Sequence, residues 1–452
     1  MLKYLRLNSK LTPYSKLFIY GVIFETMLFF ILFPGGQLSR ILQFSFLLIS
    51  FFIFSIAAIK KINIEIDIKF IENNLFLNLF ILLIPISFLI GFFSDNLGIA
   101  LNPYQLNDFT RSTFESIVIS RSITETFILL YYFFFFYFLT YLLVNNKESI
   151  DFFFRIFKIL FLLHLVLGYA DYFFVSVSGY DLIPRHFYDG INVGARFHGI
   201  AGEPRQAGVY MALGLSITYL ESYYKQSKFN YWWLAVTVPA IFLTLSFTAI
   251  ISIVIFLLLL TPIFLFIFYK KPFISFITFF LFLFFLYLAS EVPRIADYIE
   301  VFSRGLEVLE SNKKLPYLIR VQLGEVYPLY DQYKALLSSN YLQFFFGSGI
   351  GTSAINNYSY VDLPDAFGNP NSQLIRSIYE SGFLGTAFFT LIFYWPIINN
   401  NRINFNTKLS LYILTSLVLA FSYGVRSPAI FIFFGLMSSL LSNNLIKDYD
   451  KK

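Results

Sequence analysis

The chain has 452 residues, of which 57% are hydrophobic, 21% aromatic and only 13% charged, against about a quarter charged in soluble domains. Its formal net charge of +6 fits the excess of lysine and arginine on the cytoplasmic side of a membrane protein, so nucleic acid is not an implied partner. With no cysteine and three histidines, disulfides, thiol catalysis and cysteine-held zinc or iron–sulfur centres are excluded.

This composition predicts an all-α, polytopic integral membrane protein. The basic start "MLKYLRLNSKLTPYSK" is followed by a span-length apolar run with no small-residue cleavage pattern, which reads as a retained first helix. A crossing needs about 20 apolar residues. Spans are predicted at residues 17–33, 41–59, 75–93, 125–144, 152–177, 206–221, 272–290, 382–398, 409–423 and 428–442. The run from Trp232 to Phe268 would extend about 55 Å as one helix. It is therefore expected to form two short spans, broken near the polar "SFT" of Ser246–Thr248.

Charge supports that division. With the N-terminus inside, about twelve spans put Lys60, Lys61 and Lys69, then Lys147, Lys225 and Lys228, Lys270 and Lys271, Arg402 and Lys408, and finally Lys447, Lys451 and Lys452 in the cytoplasm. Both termini are then cytoplasmic. Residues 1–290 form a first transmembrane region with an outer loop at 178–205. Residues 291–370 form a large outer segment, and 371–452 hold the last three spans and a short tail. The outer segment reads as helical, with Ile295, Tyr298, Ile299, Phe302 and Leu306 at helical spacing and a second run from Leu315 to Leu337, which predicts a cap.

Polar residues concentrate at two predicted helix starts. In "RFHGIAGEPRQAG", Pro204 suits a first helical turn, because its missing N–H would be unpaired there in any case. Free N–H groups and the positive end of the helix dipole favour a phosphate at that place. Arg205 lies in the turn and Arg196 shortly before it, each able to grip two phosphate oxygens. The plainer reading of either arginine is a side chain reaching for lipid headgroups. Clustered with His198 and Glu203, they point instead to a site for an anionic head on an apolar tail. The second start is "NPNSQLIRSIYESGFLG", where Asn369 can cap the helix and Pro370 begin it. Ser372, Arg376 and Glu380 then recur on one face, either as a self-satisfied Arg–Glu pair or as the wall of an outward cavity. Arg320 stands in the apolar "YLIRVQLGEVY", and "FFGSGIGTS" is a glycine-rich turn that reads as a tight turn before it reads as a phosphate loop. Glu25, His164 and Asp171 are buried polar candidates that could equally be paired structural groups.

Taken in order, "RFHGIAGEP", "LTLSFTAIISI", the Arg320 segment, "FGSGIG" and "NPNSQLIRSIYESGFLG" resemble the bacterial O-antigen polymerase and O-antigen ligase superfamily over about residues 190–400. The resemblance implies a fold related to integral-membrane glycosyltransferases that use lipid-linked sugars. It places the protein in the bacterial inner membrane, with an active site facing the periplasm. By position, Arg196, Gly199, Glu203 and Pro204 match the superfamily's Arg-Gly and Glu-Pro elements, Arg320 its cap arginine, and Gly382 and Gly385 its closing glycines. Pro370 stands before Asn371 where ligases carry a histidine, and Phe247 follows Ser246 where an arginine is usual. The first departure favours polymerase over ligase; the second removes an expected outer arginine.

The implied reaction joins oligosaccharide repeat units carried on undecaprenyl pyrophosphate, which serve as both donor and acceptor. Arg196, Arg205, Arg320, Arg376 and Asn371 are the expected substrate-binding residues, with Glu203 or His198 as general base. Glu203 could alternatively orient Arg196 or Arg205. No paired-carboxylate motif appears on the outer side, so no metal and no cofactor are expected. Membrane lipid and a chain-length regulator protein are the other implied partners. A ligase passing chains to lipid A core, or a flippase for lipid-linked oligosaccharide, are the alternatives, although transporters often show repeated halves.

Overall fold

The computed structural model describes residues 75–93, 125–133, 147–183, 195–201, 204–244, 270–290, 341–351, 373–400, 403–422 and 428–442, with a few isolated positions besides. Among the described residues there are helices and turns and no strand, an all-α arrangement. The main helices are α1 (Leu75–Phe93), α2 (Lys147–Ser178), α3 (Pro204–Tyr224), α4 (Trp232–Leu243), α5 (Pro272–Ser290), α6 (Tyr341–Phe346), α7 (Gln373–Ile398), α8 (Phe405–Ser422) and α9 (Pro428–Ser442). A 3-10 turn at Gly199–Ala201 precedes α3.

Two compact units divide the chain. One takes Met1–Phe70, Tyr131–Leu257 and Pro396–Lys452; the other takes Ile71–Leu130 and Leu258–Trp395.

In the first unit α3 is the central helix, packed by α2, α4, α8 and α9. Its side chains are buried almost all round, from Ala207 to Thr218 without interruption, which is what a helix apolar on every face requires. Small residues make the close approach possible. A side chain at Gly208 would overlap the Phe421 ring of α8, and one at Gly214 the Phe161 ring of α2. The α2 helix buries a single stripe, Phe153, Phe154, Phe157, Phe161, His164, Leu165, Gly168 and Asp171, at the three- and four-residue spacing of one helix face. Phe161 stacks on Trp233 of α4 at 5.3 Å, and Tyr169 donates to the Val236 carbonyl at 2.7 Å. Between α8 and α9, Thr415 Oγ1 faces Met437 sulfur at 3.9 Å.

In the second unit α1 packs on α6 and, through Phe76 and Phe80, on Phe388, Phe389 and Trp395 of α7. Gly382, at φ 72° and ψ 176°, breaks α7 internally. The break frees carbonyls that the glycine-rich turn takes up. Ser348 N–H donates to Tyr379 O at 3.0 Å and Gly349 N–H to Glu380 O at 2.9 Å. Ser87 of α1 also donates to Glu380 O and accepts from Gly349 N–H. The "FGSGIG" turn is thus a dock for a broken helix, and the N–H groups of Ser348 and Gly349 are used by protein carbonyls.

Exposed apolar side chains run along several helices. They include Phe273, Phe276, Phe280, Phe284 and Tyr287 on α5, Leu82 and Leu89 on α1, and Ile159, Val166, Phe173 and Val177 on α2. Among the described residues one helical stretch, Ser377–Ile398, is both long and apolar enough to cross a membrane; α1, α4, α5, α8 and α9 contribute shorter apolar stretches. The α4 helix stops at Leu243, just ahead of the break expected at Ser246–Thr248, which itself lies outside the described residues. So do the apolar runs at Ile295–Leu306 and Leu315–Leu337.

Candidate functional site

The helices α2, α3 and α4 follow one another up and down, so the end of α2, the start of α3 and the end of α4 meet at one end of the first unit. The segment Arg196–His198 threads between them. Phe197 N–H donates to Leu243 O at 2.9 Å and Arg196 Nε to Thr244 O at 2.9 Å. These are carbonyls at the C-terminus of α4, which lack intrahelical partners and carry the negative end of the dipole, so a guanidinium is well placed there. Arg196 is buried at 8% exposure. Phe197 drops its ring onto Gly168 and Tyr169 of α2.

His198 follows, fully buried. Its Nε2 lies 2.8 Å from Asp171 Oδ2 and 3.9 Å from Asp181 Oδ1. Its Nδ1 faces the Gly199 carbonyl at 3.2 Å. Asp171 reaches this place because it sits on the buried stripe of α2, one turn past Gly168. Its Oδ1 accepts the N–H groups of Leu182 and Ile183 at 2.7 and 2.8 Å, folding the chain back over the end of α2. Gly179, at φ 76°, makes the reversal possible.

Gly199 has φ 51°, and a side chain there would meet the His164 ring at 2.5 Å and its carbonyl at 3.0 Å. His164 is itself buried, edge-on to Phe197 and Tyr210. It forms the floor under the 3-10 turn that leads into α3. Pro204 opens α3 as its proline and position predict, and Arg205 occupies the next position of that first turn. Glu203 lies outside the described residues, as do Asn371 and Arg320; Arg376 belongs to the first turn of α7 in the other unit.

Of the residues expected to act together, Arg196 and His198 therefore share one site, with the backbone of Arg205 close along the chain. Sequence reasoning named Asp171 and His164 as buried polar candidates that could equally be paired structural groups, and it did not single out Asp181. The signal for Asp171 was available: it shares the helical face of Phe161, His164 and Gly168. The link to His198 was not, because it depends on the reversal after Ser178.

A cavity of about 670 Å³ lies at the other end of α2, α3 and α4, lined by Asp151, Arg155, Lys158, Glu221, Lys225 and Trp233. Glu221 there pairs with Lys158 at 2.8 Å and Lys225 at 2.7 Å. This cavity involves none of the residues from Arg196 to Arg205.

No protein family, curated protein or solved structure matches the chain.

Proposed function

We propose that the chain is an O-antigen polymerase of the bacterial inner membrane, joining undecaprenyl-pyrophosphate-linked oligosaccharide units on the periplasmic face. The observation that carries this reading is Arg196. It is a buried guanidinium, fixed through Nε to the end of α4, in a segment that leads within a few residues to a proline-started helix bearing Arg205. A pyrophosphate leaving group needs fixed positive charge in a dry place at the moment its own charge develops. The apolar side chains exposed on α1, α2 and α5 suit contact with lipid tails. The α2 helix, about 48 Å long by its residue count, exceeds a hydrocarbon core of about 30 Å. Its charged first turns, Lys147 to Lys158, would emerge on the cytoplasmic side.

In the twelve-span arrangement the ends of α2 and α4 and the start of α3 are periplasmic, where the lipid-linked substrate is presented. Arg196 and Arg205 bind the pyrophosphate. Of the two base candidates Glu203 is preferred, because His198 turns Nε2 to Asp171 and Nδ1 to a backbone carbonyl and so serves to position the Arg196 segment. No step requires a cofactor.

Gel analysis of lipopolysaccharide tests the reaction. A Gram-negative host strain lacking this protein is expected to show lipid A core carrying one repeat unit, because ligation is done by another protein. Bare core with long chains left on the carrier lipid would identify a ligase instead. Loss of all periplasmic carrier-linked units, with single units trapped on the cytoplasmic side, would identify a flippase.

The topology has its own test. In this cysteine-free chain, cysteines placed at Tyr188 and Ser311 are expected to react with a membrane-impermeant reagent in intact spheroplasts, and one at Lys270 only after lysis. Labelling at position 270 from outside would refute the twelve-span arrangement.

A further inference from the structure

We propose that Asp171, Asp181 and His198 form a binding site for one divalent transition-metal ion, with zinc as the representative, at the end of α2 beneath the Arg196 segment. This goes beyond the polymerase reading and does not depend on it. It also departs from the expectation of no metal drawn from the sequence.

Three ligand atoms, His198 Nε2 and one carboxylate oxygen from each aspartate, lie within 4.8 Å of one another. That clustering alone would be an ordinary acidic group. The second observation is chemical. Asp171 Oδ2 and His198 Nε2 are both buried and 2.8 Å apart, and apart from this mutual contact neither atom has a hydrogen-bond partner among the described residues.

A carbonyl can only accept, so His198 Nδ1, facing Gly199 O, carries the hydrogen. In the neutral ring Nε2 then presents a lone pair, and it presents it toward a carboxylate oxygen. Two buried lone pairs turned together are unfavourable unless something positive lies between them. Orientation of a ligating imidazole through its other nitrogen to a backbone carbonyl is the usual support of a metal-bound histidine. Asp171 is held in the same way: Oδ1 takes two backbone N–H groups and leaves Oδ2 directed at His198.

Asp181 supplies the third ligand. At 34% side-chain exposure it is the one group of the three that reaches solvent, which gives an ion a way in. One neutral imidazole and two carboxylates balance a dication's charge. Mixed nitrogen and oxygen donors suit zinc and its neighbours better than magnesium or calcium, which take oxygen. Three protein ligands leave coordination open for solvent. The ion would tie the end of α2, the reversal at Gly179–Ile183 and the segment that carries Arg196.

The test uses the full chain, purified in detergent without a polyhistidine tag, stripped with chelator and re-equilibrated against buffered free zinc. Bound zinc is counted by mass spectrometry, and thermal unfolding is followed with and without zinc. One zinc per chain at low micromolar free metal is expected, together with a rise in melting temperature. Asp171→Asn and His198→Gln are expected to weaken binding at least tenfold. Because those two side chains are buried and their variants could fail to fold, Asp181→Asn is the deciding variant. It should bind zinc at least tenfold more weakly than the wild type does and show no zinc-induced shift relative to its own metal-free form. Cobalt in place of zinc should give a visible absorption band that Asp181→Asn alters. Less than a tenth of an equivalent of zinc in the wild type, or unchanged zinc affinity in Asp181→Asn, overturns the proposal and leaves an imidazolium–carboxylate pair in its place.

Discussion

Replacing Arg196 with alanine is expected to abolish polymer, with the protein still inserted at near-normal level. Removing one fixed donor from developing negative charge typically slows a reaction by about 10²–10³-fold, enough to leave only single units on the core. Arg196→Lys should rescue little. Arginine presents a planar fork of donors, whose Nε is held here by Thr244 O, whereas a lysine offers one ammonium on a flexible stem and no such fork. The competing account is that Arg196 only caps α4. Its loss would then cost about 1 kcal/mol of stability and lower the amount of protein, not the rate per molecule. Single-turnover polymerisation by purified protein, normalised to folded material, separates the two. Wild-type turnover in Arg196→Ala would leave it a cap and remove the observation on which the polymerase reading rests. Arg320→Ala is likewise expected to abolish polymer, as the resemblance implies for the cap arginine.

The relation between sequence and structure is uneven for reasons that particular elements make plain. The expected spans 75–93, 272–290 and 428–442 coincide with α1, α5 and α9. These are continuous apolar runs, and two of them open on a proline at the first helical position, where its missing N–H costs nothing. At α2 and α7 the helix starts earlier than the apolar run, at Lys147 and Gln373. Hydropathy marks where a helix could meet lipid, while helix formation extends through Lys, Glu and Asp, which are compatible with helical backbone.

The site was legible as a group of residues but not as a geometry. Arg196, His198 and Pro204 stand together in the chain, so their neighbourhood could be read directly. The carbonyls of Leu243 and Thr244 that hold the segment belong to a helix later in sequence, and backbone acceptors carry no side-chain signature. Asp171 had the periodicity of a buried residue, but its partners Leu182, Ile183 and His198 depend on the turn that Gly179 allows. Asp181, being exposed, gave no pattern at all.

The glycine-rich turn shows a motif whose chemistry follows from its partner, and it yields the largest expected structural effect. Gly382 sits at φ 72° and ψ 176°, a combination essentially restricted to glycine, and a Cβ there would run into the Phe345 carbonyl and the Gly347 N–H. Gly347, at φ 87°, would reciprocally strike the backbone at Glu380 and Gly382. All of these obstacles are main chain, so no side chain can turn aside to make room. Gly382→Ala is therefore expected to destabilise the fold by more than about 3 kcal/mol, combining backbone strain with steric overlap, and Gly347→Ala by a similar amount. The two glycines meet face to face, so their effects should not add: once the turn has left α7, the second substitution has little left to disrupt. Reversible unfolding in mixed detergent measures each variant and the pair. In cells, polymer should fall in proportion to folded protein, since the turn's Ser348 and Gly349 N–H groups are occupied by Tyr379 and Glu380 carbonyls and not offered to a phosphate. Gly382→Ala with wild-type stability, or full additivity in the double variant, would show that the turn does not dock on the broken helix and would return it to consideration as a substrate loop.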